Sequence, residues 1–566
     1  MGFSNDFLWG GATAANQYEG GVHEGGAGLS TADVMTNGSH TVRRQVTWQK
    51  PDGETGSTPL CFGSMERHLP DGAIPVELND EKYYYPSHIA SDFYHHYKED
   101  IKLCAEEGFN CLRFSIKWSR LFPNGDDETV NEEGIKFYSD VFDECKKYGI
   151  EPLITLSHYE TPLSLAQRFN GWDNRYLVDK FVKYAETCFE RFAGKVKYYL
   201  TFNEINCIEW APYVTAGLIH ADKQNIVNAT FHQFLASSLT VKAAHEKYPD
   251  IRIGMMLAYG PTYAYTTDPE DQLLALQRTN GALFYSDVQM LGRYPNYKLA
   301  EYKRENLTIP AQEGDMDILA KYPCDFLSFS CYGSHVVTLH DENAEAGEGN
   351  GGGQPHQVRN PYLKTNAWGW ATDPQCLRIT LNTFYDRYHC DLFCVENGIG
   401  WNDKFEDGTV QITEAKAQLD ALWEQLQEGL EQLIEAEDQL AAAEALLNTG
   451  YDQLIYARSQ LDYGRTELLY AWNQLEDAKE NVRTTIRLAL ESVYGEDTSG
   501  LIPWASRTDA DLDYGSTSAA DLWITDSFKF DITQSLNDNI ASFICSGEIP
   551  DEALIAMYEI LTGGDE

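Results

Sequence analysis

Two glutamates, Glu204 and Glu396, each stand at the end of a short apolar run. Burying an unpaired carboxylate is costly, so such a group is either paired with a partner or has a chemical task. Two facing carboxyl groups suit glycosidic cleavage, because one protonates the leaving oxygen while the other attacks the anomeric carbon or activates water. The alternative is a structural buried ion pair. Two glutamates are a weak signal by themselves, so the interpretation depends on the elements that position them.

Seven short apolar runs alternate with helical segments over the first 410 residues. They are "NDFLWGGATAA" near the start, then residues 110–116, 151–159, 196–204, 251–260, 324–332 and 390–397. Each run is too continuous for a half-exposed strand, which indicates a parallel sheet covered by helices on its outer face. Alternation over about 400 residues predicts an α/β protein, a (β/α)8 TIM barrel with long loops.

In that fold, catalytic side chains lie at the C-terminal ends of the strands. Arg113, His158, Asn203 and Tyr332 occupy such positions, together with the two glutamates. A single histidine in such a place is more often a core residue, and an asparagine is often a cap or a turn residue. Their clustering at strand ends predicts one active site.

Three motifs resemble glycoside hydrolase family 1, whose members are retaining β-glycosidases on a (β/α)8 barrel. They are "FLWGGATAANQYEGG", "TFNEIN" and "VENG", which look like the family's N-terminal signature, acid/base motif and nucleophile motif. The resemblance extends from Phe7 to about Val410. Within the family, "YYPSHIASDFYHHYKEDI", "SHYETP" and "WGWATDP" are most similar to bacterial 6-phospho-β-glucosidases. Those cytoplasmic enzymes cleave β-glucosides that were phosphorylated during uptake.

The resemblance implies a role for each candidate residue. Glu204 would be the general acid/base and Glu396 the nucleophile, which Arg113 and Tyr332 would position and keep ionised. The implied substrate contacts come from Gln17, His158, Asn203 and Trp370. Of these, Asn203 would bond the 2-hydroxyl and Trp370 would wall the aglycone side. We expect no cofactor and no metal site, since the neighbouring His95 and His96 lie in a helical pattern and would not point at the same ligand.

The pattern changes near residue 411. Leucine recurs at strict seven-residue spacing, at positions 419, 426, 433, 440, 447, 454, 461, 468 and 475, and glycine, alanine or leucine stands three residues after each. This heptad predicts a coiled coil over residues 411–493, either an antiparallel hairpin turning near 447–452 or an intermolecular pair. It resembles the extracytoplasmic coils of permeases of the FtsX type. Residues 494–566 are predicted to be an acidic linker with short helices.

This change leaves the predicted barrel at residues 1–410 with seven strands and without its last β/α unit. The "LIPWAS" segment, about 105 residues after Glu396, resembles the family's last strand only faintly. In the 6-phospho-β-glucosidases, the residues that bind the 6-phosphate follow strand eight. Two functions therefore remain open: a glycosidase acting on β-glucosides or their 6-phosphates, and a catalytically impaired barrel fused to a coiled-coil assembly or binding module.

Charge and composition exclude several classes of partner. The formal net charge is −44, and residues 411–566 alone carry 31 acidic and 8 basic side chains. Such a field repels nucleic acid and anionic membranes. The N-terminus lacks the features of a signal peptide and no apolar run reaches the length of a membrane span, so we expect a cytoplasmic protein. The 12 cysteines stand singly, without the pairs typical of zinc sites.

Overall fold

The computed structural model describes residues 3–4, 6–39, 41–62, 66–340, 354–400, 404–406, 409–411 and 413–494. The predicted linker and short helices after Tyr494, including "LIPWAS", lie outside the described residues. The chain divides into two compact units, Met1–Glu435 and Ala436–Glu566. The domain boundaries predicted from the sequence stay predictions.

The described strands alternate with helices in chain order. The strands are β1 Gly10–Ala12, β2 Val46–Gln49, β3 Thr55–Thr58, β4 Ile74–Pro75, β5 Cys111–Ser115, β6 Glu151–Ser157, β7 Tyr198–Phe202, β8 Arg252–Ala258, β9 Thr262–Ala264, β10 Phe326–Ser330, β11 His335–Val337, β12 Gln357–Val358, β13 Leu392–Glu396, β14 Lys404–Glu406 and β15 Thr409–Gln411. The α-helices are α1 Ala15–Tyr18, α2 Phe93–Glu106, α3 Trp118–Leu121, α4 Glu132–Lys147, α5 Leu163–Phe169, α6 Tyr176–Arg191, α7 Pro212–Ala216, α8 Lys223–Lys247, α9 Pro269–Leu291, α10 Asn296–Arg304, α11 Asp315–Lys321, α12 Cys376–Tyr388 and α13 Thr413–Tyr494.

Seven of these strands form one parallel sheet in the order β1-β5-β6-β7-β8-β10-β13. They correspond to the seven apolar runs of the sequence, so the predicted TIM-barrel strands are confirmed. β1 and β13 are the two edges of the sheet, and Cα atoms of these strands approach within 8 Å. The barrel is therefore nearly closed, and an eighth strand is not among the described residues.

The sheet is apolar on both faces, as the continuous runs predicted. The inner face packs a small cluster from Cys111, Leu153, Leu200, Met256, Phe326 and Val395. The outer face packs against the helices in the main core, where Phe114, Ile154 and Tyr199 are buried. Because both faces are covered, only the strand ends and their loops can present polar groups to a ligand.

The segment after the barrel is one uninterrupted α-helix of 82 residues, α13. Its length is about 120 Å at 1.5 Å per residue. The predicted turn near 447–452 is wrong, because the helix continues through it. Gly450 costs about 1 kcal/mol relative to alanine, and the helix continues through it between the stronger helix formers of residues 441–447 and 453–457.

The heptad leucines of α13 lie on the surface of the described chain. Leu447, Leu454 and Leu468 are 74%, 70% and 74% exposed. A coiled coil would cover these side chains with a second helix. The coiled coil therefore stays a prediction. None of the helices in the described part of the chain has both the length and the apolar character needed to cross a membrane.

Candidate active site

Glu396 ends strand β13 and is held by donors on both carboxylate oxygens. The Arg113 guanidinium, from strand β5, donates through Nη1 to Oε1, and the Tyr332 hydroxyl donates to Oε2 at 2.9 Å. Arg113 is buried and fixed in turn, because its Nη2 donates to Asn203 Oδ1 at 2.5 Å and its Nε to Thr155 Oγ1 at 3.0 Å. Glu396 therefore has one cationic and one neutral donor, and the cationic donor is held in place by two further hydrogen bonds.

Glu204 follows strand β7 and has neutral partners instead. Its Oε1 accepts from the Ser330 hydroxyl at 2.5 Å, and its Oε2 accepts from the Tyr159 hydroxyl. The Cys207 thiol lies 3.7 Å from Oε2. Glu204 and Tyr159 both have left-handed backbone conformations, with φ of 39° and 64°. Such conformations cost about 1–3 kcal/mol for residues other than glycine and cluster at functional sites.

The pKa of Glu204 is raised above the ordinary value of a glutamate. Burial is the largest cause, and the negative charge of Glu396 is the second. Hydrogen bonds from Ser330 and Tyr159 and the charge of Arg113 oppose this rise. The two carboxyl groups therefore differ in electrostatic environment, and the surroundings of Glu204 disfavour its charged form.

Two of the predicted substrate contacts line the same site. His158 and Asn203 are buried, and Arg113 touches Asn203. Burial and the Arg113 charge lower the pKa of His158, which keeps the imidazole neutral. Among the described residues, His158 Nδ1 and Asn203 Nδ2 have no hydrogen-bond partner. Buried polar atoms without partners are uncommon, so these two suit hydroxyl groups of a ligand.

The other two predicted contacts lie at the edge of the site. The Trp370 ring is 5.3 Å from that of Tyr332, centroid to centroid, so Trp370 stands beside the Glu396 pocket. Gln17 is exposed on α1, directly after β1. Its neighbour Asn16 donates to the His158 carbonyl at 2.9 Å, which ties this loop to the site.

Sequence reasoning missed three residues that hold the candidate side chains: Tyr159, Ser330 and Thr155. Thr155 and Ser330 lie inside apolar strands, where nothing in the sequence separates a hydroxyl that faces the site from one that packs elsewhere. Tyr159 follows His158 within "SHYETP", and its place in that motif was the only available signal.

The model of one protein family, Glycosyl hydrolase family 1, matches residues 1–55 and 75–438. The chain belongs to this family. It is a glycosidase with relatives of the 6-phospho-β-glucosidase kind. The fold is similar to that of solved structures such as a β-glucosidase from Exiguobacterium marinum. That structure gives a TM-score of 0.60 at 25% sequence identity, covering 76% of this chain and 87% of that one. A Thermotoga maritima family 1 glycoside hydrolase, solved with a cyclophellitol analogue, gives a TM-score of 0.59 at 25% identity, covering 76% of this chain and 86% of that one.

Curated relatives of this family 1 glycosidase are more similar in sequence. The aryl-phospho-beta-D-glucosidase BglH of Bacillus subtilis is 45% identical over 416 residues, which are 72% of this chain and 80% of that protein. The 6-phospho-beta-glucosidase AscB of Escherichia coli is 44% identical over 407 residues, covering 71% and 80% respectively. The resemblance of residues 411–493 to permease coils is not shown by these comparisons.

Proposed function

We propose that this family 1 glycosidase hydrolyses 6-phospho-β-glucosides with retention of configuration, by double displacement. The main support for the proposal is that the two glutamates have different hydrogen-bond donors. Arg113 and Tyr332 donate to Glu396, whereas Glu204 has neutral partners and a raised pKa. A retaining glycosidase needs this asymmetry, one ionised nucleophile and one protonated acid.

In the first step, Glu396 attacks the anomeric carbon while Glu204 gives its proton to the leaving glycosidic oxygen. The C–O bond to the aglycone breaks and a glycosyl ester forms on Glu396. Arg113 and Tyr332 hold the two oxygens of the nucleophile, so little motion separates the bound state from attack. Asn203 Nδ2 and His158 Nδ1 are the donors or acceptors that we assign to hydroxyls of the sugar.

In the second step, Glu204 takes a proton from water, which attacks the anomeric carbon and releases Glu396. Esterification of Glu396 removes the charge that contributes to the raised pKa of Glu204. The pKa of Glu204 should therefore fall once the intermediate has formed, which converts it from acid to base. This mechanism requires carboxyl groups about 5–5.5 Å apart, and the same separation predicts net retention.

The phosphorylated substrate is inferred from the relatives. Five proteins named aryl-phospho-β-glucosidase or 6-phospho-β-glucosidase, and one named phospho-cellobiase, are 42–45% identical to this chain. Similarity at this level extends across the barrel, which supports a common substrate class. We also infer a cytoplasmic location from this relationship, since phosphorylated sugars do not leave the cell.

The test is hydrolysis of p-nitrophenyl β-glucoside and of its 6-phosphate by the purified chain. We expect the phosphorylated compound to have the higher kcat/KM, and the Glu396→Gln variant to lose activity on both. The NMR spectrum of the first-formed sugar should show the β-anomer. A folded protein that hydrolyses neither compound would instead favour the alternative of an impaired barrel, which the comparisons do not support. An α-anomer would contradict the mechanism.

We further propose that α13 pairs with α13 of a second copy of the chain. Its heptad leucines are exposed in the described part of the chain, and they form the one-sided stripe that paired helices bury. The Leu447→Lys, Leu454→Lys double variant should lower the mass measured by light scattering. The control variant Ser459→Lys, Asn473→Lys changes positions off the stripe and should not. Equal masses for all three proteins would contradict self-association through residues 411–493.

A further inference from the structure

Three side chains that take no part in the glycosidase site converge at the surface of the barrel unit: His23, Glu77 and His88. One ligand atom from each lies within 4.8 Å of the other two. His23 follows α1, Glu77 follows β4, and His88 ends the 3-10 helix Pro86–His88. From this convergence we propose that the three residues bind a divalent cation such as Zn²⁺, which links and stabilises these three segments.

The distances suit such an ion. His23 Nε2 lies 3.3 Å from Glu77 Oε1, and His88 Nδ1 lies 3.8 Å from the same oxygen. Zinc bonds of about 2.0–2.2 Å place tetrahedral ligand atoms about 3.3–3.6 Å apart. The two distances to Glu77 are therefore close to those of a four-coordinate ion with these three ligands and water as the fourth.

The hydrogen bond of His88 leaves its other nitrogen able to bind a metal. His88 Nε2 lies 2.8 Å from the Asp33 carbonyl oxygen, which can only accept, so Nε2 carries the proton. Nδ1 is then the ring nitrogen left for a metal, and it lies 3.8 Å from a carboxylate oxygen of Glu77. A backbone carbonyl that fixes the tautomer of a metal-binding histidine is a common outer-shell arrangement.

The surroundings hold the ligands in place. The Tyr85 ring stacks on His88 at 5.0 Å, and the Tyr85 hydroxyl accepts from Leu78 N at 2.9 Å, next to Glu77. On the other side of Glu77, Val76 N donates to the Thr47 carbonyl at 3.0 Å. Two imidazoles and one carboxylate favour zinc and its neighbours over magnesium or calcium, which prefer oxygen ligands only.

A second group of exposed histidines nearby has a carboxylate at each ring nitrogen and serves as a comparison. His95 Nδ1 lies 2.6 Å from Asp92 and its Nε2 lies 3.1 Å from Glu24, so carboxylates occupy both ring nitrogens. The hydrogen bond to Asp92 is the largest cause that raises the pKa of His95. Neither ring nitrogen of His95 is therefore left for a metal. His96, on the same helix, also has both nitrogens near carboxylates and supplies a control.

The test uses the full, untagged chain, stripped with a chelator and kept reduced. Calorimetric titration with Zn²⁺ should show one tight site per chain. His23→Asn and Glu77→Gln should each weaken it by more than the roughly 10–100-fold typical of losing an outer-shell partner, whereas His96→Asn should leave it unchanged. These variants spare His88, whose bond to Asp33 contributes to the fold.

Two further readouts separate this site from binding elsewhere. Co²⁺ bound in place of Zn²⁺ should give the visible absorption bands of a site with nitrogen and oxygen ligands. Thiolate charge-transfer bands should be absent, since no cysteine is a ligand of the proposed site. Zn²⁺ should raise the melting temperature of the wild-type chain and of His96→Asn, and not that of His23→Asn. Equal titrations for wild type, His23→Asn and Glu77→Gln, or no binding at micromolar Zn²⁺, would overturn the proposal.

Discussion

The pockets of Glu396 and Glu204 contain the same side chain in two different environments. A buried guanidinium and a phenol donate to Glu396, whereas the side chains that donate to Glu204 are neutral, and burial raises the pKa of Glu204. The strand ends bring both pockets to one edge of the sheet, so the difference comes from neighbouring side chains. A barrel can thus give identical residues different electrostatic environments by the choice of donor at each strand end.

Replacing the nucleophile should have the largest effect. Glu396→Gln keeps the size of the side chain and removes the charge that attacks the anomeric carbon. We expect kcat to fall by roughly 10⁴-fold or more, as when other enzymes lose a nucleophile. Steady-state kinetics on the 6-phospho-β-glucoside measures this, with Glu190→Gln on α6 as an exposed control. A loss of less than tenfold would mean that both pockets had been misassigned.

Replacing the acid should have a smaller effect that depends on the leaving group. Glu204→Gln cannot protonate the aglycone, so kcat/KM on an alkyl glucoside 6-phosphate should fall by roughly 10²–10⁴-fold. A dinitrophenyl glucoside 6-phosphate needs no proton to leave, and its kcat/KM should fall much less. Comparing the two substrates in Glu204→Gln and Glu396→Gln distinguishes the pockets, because the second variant should lose both activities alike.

Removing the Tyr332 phenol beside Glu396 should lower the activity without abolishing it. Tyr332→Phe deletes the 2.9 Å hydrogen bond to Oε2 and leaves Arg113 in place. A hydrogen bond to a charged group contributes about 1.5–3 kcal/mol, so we expect kcat/KM to fall by roughly 10- to 100-fold. Circular dichroism should confirm an unchanged fold. Wild-type activity would show that the guanidinium alone suffices.

Removing a hydroxyl beside Glu204 should shift the pH profile more than the maximal rate. Ser330 favours the charged form of Glu204, so Ser330→Ala should raise its pKa further. Because Glu204 must be protonated in the first step, its pKa sets the basic limb of kcat/KM. That limb should move to higher pH in Ser330→Ala, and Thr240→Ala, a buried hydroxyl on α8, provides a control. A move to lower pH would contradict the assignment.

The sequence predicted the strands and the motif residues because each depends on local pattern. Continuous apolar runs identified all seven strands of the sheet, and the motifs identified Glu204, Glu396 and the residues around them. Tyr159 and Ser330 were missed because their bonds to Glu204 join residues 45 and 126 positions apart. His23, Glu77 and His88 escaped notice for the same reason.

The sequence contains opposing signals for α13 and does not decide between a turn and a continuous helix. Glycines in the heptad favoured a turn near 447–452, whereas alanine, leucine and glutamine favoured continuation. The helix continues through that segment. The side chains that would cover its leucines belong to another chain, so no pattern within this sequence can predict them. The barrel contains the partners of its own apolar residues, and for that reason it was the easier part to predict.

The most direct test of the mechanism is to trap the glycosyl ester on Glu396. A 2-fluoro-β-glucoside 6-phosphate with a good leaving group should form the ester and release it slowly, because the fluorine destabilises the transition state of both steps. Tryptic digestion should then place the added mass on the peptide of residues 388–404, in which Glu396 is the only glutamate. The account predicts one label per chain on Glu396 and loss of activity in step with labelling. A label on another residue, or full turnover of the natural substrate with no label at all, would contradict it.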